Sequence, residues 1–365
     1  MSGTTEKKLN FVSVAAMYVG VIMGAGFASG RETWQFFGIF GDKAFYGVVI
    51  AAAGFAAIAY MIGYLAVRLN TRDMGRIVCF IDNRYLSEGF GYFMAVFLFT
   101  TIISMTAAGG SFLYQQFGVH RAIGGGIIAI LVAATILGDF DRISRLFRYI
   151  VPVLFAVVII CCALVILSDM KQSGATGGFK PSKMAPDWLI AAPLYVAYNM
   201  MGMIPMGATA SLNAKSRGHA LWGSLFGGLL LGMMILVLVF ALQKDMAFSA
   251  SLDLPMLGYS VRLSPVINVL YGSVLYVSIY SAATSVFYGF TTKLPEGPHR
   301  SRIILISILI GYLLGLVGFR NLVAYMYPIE GYFGLVVIFM ITVNFFKVLL
   351  GGKKTGKKGV HEQYD

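Results

Sequence analysis

Long apolar stretches dominate the chain and are separated by short polar connections. Ten stretches contain no Asp, Glu, Lys or Arg, except that Glu330 interrupts the last of them. Each reaches the roughly 17 to 25 residues that a helix needs to cross the hydrocarbon core of a bilayer. The pattern therefore predicts an all-α polytopic membrane protein with ten transmembrane helices, at 9–30, 44–67, 89–120, 122–138, 149–168, 188–214, 218–243, 263–292, 303–319 and 321–346.

Composition and charge agree with this interpretation. Hydrophobic residues make up 58% of the 365 residues and charged residues only 12%, about half the charged fraction of a soluble domain. A net charge of +12 favours nucleic acid as the partner of a soluble protein. Here 19 of the 28 Lys and Arg residues fall on one side when the predicted connections alternate. Basic residues concentrate in cytoplasmic connections, so we expect both termini in the cytoplasm, a lipid bilayer as partner and no nucleic acid.

The ten predicted helices divide into two groups of five. We expect a cytoplasmic N-terminus at 1–8, a first repeat at 9–169, an outer loop at 170–187, a second repeat at 188–349 and a basic cytoplasmic tail at 350–365. With five helices in each repeat, the second repeat must lie upside down relative to the first. This is the inverted-repeat plan of many secondary transporters.

Both repeats begin with a helix rich in glycine. Helix one contains VIMGAGFASG at 21–30, and helix six contains AYNMMGMIPMGA, with Pro205, at 197–208. Two interrupted segments at corresponding positions indicate a binding site, because the freed backbone groups must face a ligand or a cavity. We therefore predict that helices one and six are unwound in the middle of the membrane. The alternative is that the glycines only allow helices to pack closely.

On these features the chain resembles the LeuT-like fold of the amino acid–polyamine–organocation superfamily. The segment MYVGVIMGAGFASGRE at 17–32 is similar to the opening helix of the YkvI-like bacterial membrane proteins. The resemblance implies a multi-pass protein of the bacterial inner membrane that works as a secondary active transporter by alternating access. The function that it favours is sodium-coupled symport of a small amino acid or a related carboxylate solute.

Sodium-coupled relatives in this superfamily hold an ion between the first and the eighth helix. Helix eight here contains YSAATSVFYG, whose spacing places Ser281, Thr284 and Ser285 on one helical face. The resemblance implies one sodium ion bound by five neutral oxygens, from Gly20, Met23, Ser281, Thr284 and Ser285. Such oxygens suit a hard cation. The alternative is that the Thr284 and Ser285 hydroxyls bond back to their own helix.

The substrate site implied by the resemblance lies between helices one, three and six. Backbone amides at the break of helix one would meet the carboxylate of the solute. The residues expected to form the site are Gly24, Ala25, Gly26, Ser104, Tyr198, Asn199, Met200, Met201 and Gly202. Asn199 is the most polar residue in helix six, and a satisfied interhelical hydrogen bond is the alternative role for it.

Charged residues inside apolar stretches complete the candidates. Arg31 and Glu330 are expected in the outer half of the membrane, where the resemblance implies a gate made of an arginine and an acid. Alternatively, Arg31 and Glu32 face lipid headgroups. Phe27 replaces the polar amide that relatives with a second sodium ion carry, which favours one ion for each cycle.

Two other classes of function stay open. One is a proton-coupled exchanger or exporter of amino acids or amines with the same fold, although helix five has no lysine to carry a proton. The other is a sensor that binds a ligand without transporting it. The sequence contains no nucleophile arrangement, paired carboxylates or phosphate-binding loop, so we do not expect an enzyme.

Overall fold

The structure of the protein, a computed structural model, describes residues 8–81, 83–138, 140–170, 172–174 and 178–351. For residue 25 and residues 140–151 the backbone alone is described. The predicted cytoplasmic N-terminus and the predicted basic tail lie almost entirely outside the described residues. Over the described ranges the chain is mostly helical, and an isolated bridge between Leu9 and Ala214 is the single β contact.

Sixteen α-helices form in the described part of the chain. They are α1 (Phe11–Ile22), α2 (Ala25–Ala28), α3 (Arg31–Phe36), α4 (Ala44–Leu69), α5 (Met74–Val78), α6 (Arg84–Phe117), α7 (Arg121–Leu137), α8 (Phe140–Leu167), α9 (Trp188–Leu212), α10 (Arg217–Gln243), α11 (Met246–Ser251), α12 (Pro255–Leu263), α13 (Pro265–Thr291), α14 (Arg300–Gly315), α15 (Phe319–Asn321) and α16 (Tyr327–Gly351). A 3-10 helix (Gly38–Lys43) precedes α4, and a π-helical turn (Leu322–Met326) precedes α16.

Every apolar stretch of the sequence contains one of these helices. Six stretches of the described chain are helical, long and apolar enough to cross a bilayer: Gly38–Leu69, Arg84–Phe117, Trp188–Leu212, Arg217–Gln243, Pro265–Thr291 and Phe319–Gly351. The remaining four stretches hold shorter apolar helices: Phe11–Ile22, Arg121–Leu137, Pro152–Leu167 and Arg300–Gly315. The all-α, multi-pass architecture is confirmed. The number of ten crossings stays a prediction, because six stretches of the described chain meet the length and composition of a membrane span.

Polar side chains at the helix starts explain where the long helices begin. The Asn10 side chain accepts a hydrogen bond from the amide of Ser13 (2.8 Å) at the start of α1. The Ser264 hydroxyl accepts one from the amide of Ile267 (3.1 Å) at the start of α13, and Pro265 occupies the first helical position. Such caps satisfy backbone donors that have no partner inside the helix.

The helices pack in a reciprocal pattern across the two halves of the chain. Helix α1 packs against α10, α9 packs against α4, and α4 and α10 pack against each other. An inverted repeat exchanges the first helix of each half with the second helix of the other in this way. The contacts therefore agree with the predicted repeat, although its residue boundaries stay a prediction.

Glycine allows the closest of these contacts, between α10 and α4. A Cβ atom at Gly228 would lie 2.5 Å from the carbonyl oxygen of Phe55 and 2.7 Å from the Cα of Ala56. Both neighbours are backbone atoms, which cannot turn away as a flexible side chain can. Gly228 therefore allows the backbones of α10 and α4 to approach each other closely.

Both ends of the described chain lie on one side of the bundle, called the terminal side below. The amide of Leu9 donates to the carbonyl of Asn213 (2.7 Å), whose side chain accepts a bond from Arg72 (2.8 Å). Near the other end of the chain, Lys347 donates to the carbonyl of Phe80 (2.8 Å), in the same connection that contains Arg72. The described residues of the segments 31–43, 168–187 and 244–264 contact one another on the opposite side.

On that opposite side, Asp245 holds several connections together. Its carboxylate accepts hydrogen bonds from the hydroxyl of Ser173 (2.6 Å), the amide of Phe248 (3.0 Å) and Arg262 (2.9 Å). Burial raises the pKa of Asp245, but the bonds from Ser173, Arg262 and the backbone together outweigh it and hold the pKa below its usual range. The Asp245 side chain thereby holds α12 next to the C-terminal end of α10.

The close contact at Gly228 makes a testable prediction about stability. Gly228→Ala should lower the free energy of unfolding by about 1–3 kcal/mol, because an extra methyl group in a tight contact forces backbone shifts. Gly89→Ala is the matched control, since a Cβ at Gly89 meets nothing within 4 Å. Thermal unfolding of the two purified variants in the same detergent gives the comparison. Equal midpoints for both variants and the wild type would contradict the prediction.

Candidate functional site

The first apolar span is interrupted between α1 and α2. The amide of Gly24 donates to the carbonyl of Ile22 (2.6 Å), whereas a continued α-helix would direct it to the carbonyl of Gly20. The chain resumes one short helical turn and then bends at Gly30, whose φ of 76° lies in the left-handed region that favours glycine. The Gly20 carbonyl has thus lost its helical donor at the start of the glycine cluster.

Side chains of the second half satisfy the released backbone groups. The Ser278 hydroxyl of α13 donates to the carbonyl of Met23 (2.6 Å), and both residues are buried. Below the bend, the Tyr271 hydroxyl donates to the carbonyl of Ala28. A buried carbonyl without a donor is costly in an apolar bundle, so these bonds hold the break in place.

The predicted unwinding of helix six is a point of correction, because α9 is helical from Trp188 to Leu212. Pro205 removes one backbone donor, but it does not end the helix, and Thr209 bonds back to the carbonyl of Pro205 (2.9 Å). The glycine at 207 has a packing role, since a Cβ there would lie 2.8 Å from the ring of Tyr18. The packing alternative therefore applies at Gly207, whereas a Cβ at Gly202 would meet nothing within 4 Å.

A small central cavity of about 80 Å³ lies beside the break. Six of the predicted substrate residues line it: Gly24, Ser104, Tyr198, Asn199, Met201 and Gly202. Gly26 and Met200 lie outside its lining, and the side chain of Ala25 is not described. Asn199 donates to the carbonyl of Tyr195 (2.9 Å), so its amide is satisfied within its own helix rather than between helices.

Two acidic residues, Glu32 and Glu330, also line the central cavity. Glu32 lies on α3, is 5% exposed and accepts a hydrogen bond from the hydroxyl of Tyr198. Glu330 lies on α16 and is 9% exposed. From the sequence, Glu330 was expected in a gate with Arg31, a headgroup contact was only an alternative for Glu32, and no paired carboxylates were expected. The two residues are almost 300 positions apart, so no spacing pattern links them.

The predicted gate pair does not form. Arg31 donates to the carbonyl of Leu252 (3.2 Å) and to the side chain of Gln35 (3.3 Å). Its guanidinium therefore points towards the connection between α11 and α12, while Glu330 points into the cavity on the other side of the chain. Successive residues of α3 project in different directions, which turns Glu32 inward and Arg31 away. Among the described residues, no ion pair links Arg31 to Glu330.

A second, larger cavity of about 890 Å³ opens on the terminal side. It extends to Arg72, Asp73 and Lys293, which lie at that surface of the bundle. Four residues line both cavities, so the central cavity lies directly above the larger one: Val21, Gly202, Ala282 and Val286.

Aromatic rings close the central cavity on the opposite side. The ring of Tyr198 lies 4.9 Å from that of Tyr327 and 5.8 Å from that of Phe36. Tyr195 fills the space behind them and is in contact with Phe37 (5.0 Å). Together with the bond from Tyr198 to Glu32, these contacts leave the terminal side as the open one.

The five predicted sodium ligands are close to one another but are not assembled. Gly20, Ser281 and Ser285 line the larger cavity. Thr284 is fully buried and its hydroxyl donates to the carbonyl of Tyr280 (2.8 Å), which is the back-bonding alternative. The carbonyl of Met23 is bonded by Ser278, a residue that the sequence analysis did not select. Ser278 lies three residues before Ser281, so helical spacing was the signal that could have found it.

Comparison with known proteins gives relatives over nearly the whole chain, although no family model matches. YkvI of Bacillus subtilis (strain 168), an uncharacterized membrane protein, is 23% identical over 340 residues, covering 91% of this chain and 95% of YkvI. The uncharacterized protein YyaD of the same organism is 22% identical over 324 residues, covering 88% and 93%. The resemblance seen in helix one therefore extends along the chain.

Two solved transporters share the fold. The inward-facing conformation of Mhp1 is 12% identical and covers 95% of this chain and 80% of its own, with a TM-score of 0.61. A manganese transporter of Eremococcus coleocola is 14% identical and covers 98% and 91%, with a TM-score of 0.60. The chain has a LeuT-like fold. This confirms the fold that the sequence resemblance implied.

The bond at the helix break makes a prediction that depends on one hydroxyl. Ser278→Ala should lower the free energy of unfolding by about 1–3 kcal/mol, because it leaves the buried Met23 carbonyl without a donor. Ser278→Thr keeps a hydroxyl and should recover part of the loss. Ser273→Ala is the control, since Ser273 is an exposed residue of the same helix that bonds to its own backbone. Thermal unfolding measures all three, and equal effects of the two alanine variants would contradict the prediction.

Proposed function

We propose that the protein is a secondary active transporter that moves a small organic solute by alternating access. The observation that carries this proposal is a central cavity beside a broken helix, closed on one side and continuous with a wide cavity on the other. The cavity is small in this state, about 80 Å³, and apolar side chains with a few polar groups line it, as is usual in small-molecule sites. The fold shared with two solved transporters supports transport rather than catalysis.

The conformation corresponds to one state of such a cycle. Positive charge is concentrated on the terminal side, which we propose to be the cytoplasmic face of a bacterial inner membrane. The wide cavity then opens inward, and the contacts of Tyr198 with Phe36 and Tyr327 form the closed outer barrier. Opening this barrier requires α3 and α16 to separate from α9.

Sodium is the driving ion in this proposal, and an amino acid is the solute that the resemblance favours. The inward-open state explains why the five oxygens are near one another but not assembled, because an ion is released from this state. The Thr284 hydroxyl donates to the carbonyl of Tyr280, but the lone pairs of its oxygen stay free to bind a cation. The Met23 carbonyl can likewise bind a cation while it accepts the bond from Ser278. Rotation of α1 towards α13 would complete the set.

Cysteine labelling tests the open side. Met206 lines the wide cavity, and the native cysteines Cys79, Cys161 and Cys162 are buried and free. After replacement of these three, Met206→Cys should react with a membrane-impermeant maleimide from the cytoplasmic face only. Ser251→Cys, at an exposed residue of α11, is the control and should react from the outer face only. Labelling of Met206→Cys from the outer face alone would refute the proposed orientation.

Uptake into proteoliposomes tests the driving ion. Radiolabelled amino acids would be added as a mixture outside the proteoliposomes. An inward sodium gradient should then give accumulation inside them that an inward potassium gradient does not give. Changing Thr284 and Ser285 to Ala should raise the sodium concentration for half-maximal uptake about tenfold or more, each tenfold being about 1.4 kcal/mol of ion binding. An unchanged sodium dependence in a well-folded double variant would remove this site from the proposal, and accumulation without sodium would favour coupling to protons.

A further inference from the structure

The central cavity contains two carboxylates that the proposed function does not yet explain. Glu32 comes from the first half of the chain and Glu330 from the second, and both line the same small cavity. Both side chains are at least nine-tenths buried. Buried acids within apolar helices are costly, and they are usually paired or functional.

Glu330 is the more informative of the two. Its Oε1 atom is buried and has no hydrogen-bond partner, although the side chain lines a cavity with room for one. Glu32 differs, because the Tyr198 hydroxyl donates to it. Thr100 lies beside the Glu330 carboxylate in the same lining, and the unpartnered Oε1 leaves an acceptor for a donor from a ligand in the cavity.

No basic side chain is available to neutralise these acids. The described residues that line the central cavity include no Lys, Arg or His. Arg31, the nearest basic residue along the chain, is held by Leu252 and Gln35 on the other side of α3. The cavity therefore combines two acids with a mainly apolar lining and contains no basic side chain among its described residues, which favours a cation as its ligand.

Glu32 also occupies the position expected for a carboxylate of the solute. A Cβ atom added to Gly26 would overlap the carboxylate of Glu32, so this side chain lies directly against the backbone that follows the helix break. The chain's own carboxylate thus takes the place beside Gly26. A second carboxylate there would meet both steric overlap and repulsion from Glu32 and Glu330.

We propose that the central cavity selects its solute by a positively charged amino group, which Glu330 and Glu32 bind as counter-ions. This rests on the proposed function in one respect, namely that the central cavity is the solute site. An ammonium group has three donors and satisfies the free oxygen of Glu330. Tyr198 and Tyr327 add aromatic faces that attract a cation, and Met105 and Met201 contact the aliphatic part.

A metal ion fits the cavity less well. Over the described residues, no group of three or more His, Cys, Asp and Glu side chains is placed to hold a metal. Two carboxylates beside tyrosine rings and methionine side chains suit an organic cation with an apolar part better than a single ion, which takes an all-oxygen shell. An amine is therefore the occupant to which the observations point.

A charge series of similar size tests the proposal in purified protein. Thermal shifts would be measured with butylamine, 1,4-diaminobutane and agmatine as cations, butyrate and succinate as anions, 1,4-butanediol as a neutral solute and manganese chloride as a metal. At least one of the amines should stabilise the wild type in a saturable manner. The anions, the diol and manganese should give no saturable shift. Stabilisation by an anion, by the diol or by manganese but by no amine overturns the proposal, and so does a series without any response.

Charge-neutral variants then assign the effect. Glu330→Gln should weaken amine binding at least tenfold while the unliganded protein keeps its midpoint of unfolding. Glu32→Gln provides a second variant at the same cavity. Glu88→Gln is the control, since Glu88 is an exposed acid that pairs with Arg84 on the surface of α6. Amine affinity that is unchanged in both cavity variants overturns the proposal, as expected if the two acids carry only protons.

Accumulation in proteoliposomes separates this inference from the proposed function. Amines that bind but are not accumulated under any ion gradient would refute transport and leave the selection by charge intact. Accumulation of a carboxylate solute without an amino group, unaffected by Glu330→Gln, would support transport and overturn the selection by charge.

Discussion

The structure depends on how the polar backbone is satisfied where the first span breaks in an apolar environment. A helix in lipid must meet its own hydrogen-bonding needs, so a break at Met23 and Gly24 is stable only where other parts of the protein supply donors. Ser278 and Tyr271 of α13 supply them. The break is consequently stabilised by contacts between the two halves of the chain. The shape of the cavity beside it therefore depends on how the two halves pack together.

The large features were predictable because they depend on local composition. Uninterrupted apolar runs specify membrane helices whatever they pack against, and glycine clusters specify either breaks or close contacts. That ambiguity explains the outcome for the two broken helices. In helix one the glycines accompany a break, whereas in helix six Gly207 accommodates the ring of Tyr18 and the helix continues. Composition alone does not distinguish these cases, since both need a missing side chain.

The details of the site were less predictable because they depend on the direction of side chains. Gly30 turns the chain so that Glu32 folds back against Gly26 while Arg31 points away. The gate pair did not form because these neighbouring residues of α3 point in different directions. Glu32 takes the position facing the cavity that the expected gate required of Arg31. Likewise, Ser278 and Thr284 are both hydroxyl residues on α13, but only Ser278 reaches the Met23 carbonyl. Their roles follow from how α13 is rotated against α1, which depends on contacts throughout the bundle.

The positions of the two carboxylates also connect occupancy of the cavity with its closure. Glu32 is on α3 and Glu330 is on α16, the two elements whose rings close the outer barrier together with Tyr198 of α9. Without a cation in the cavity, ionising both buried acids is costly, and the bond from Tyr198 stabilises only one of them. A bound amino group neutralises both and draws α3 and α16 towards α9. A ligand shifts a conformational equilibrium only by its difference in affinity for the two states. Bridging two elements that must separate to open the barrier is a direct way to obtain that difference, because the second contact is lost when the barrier opens.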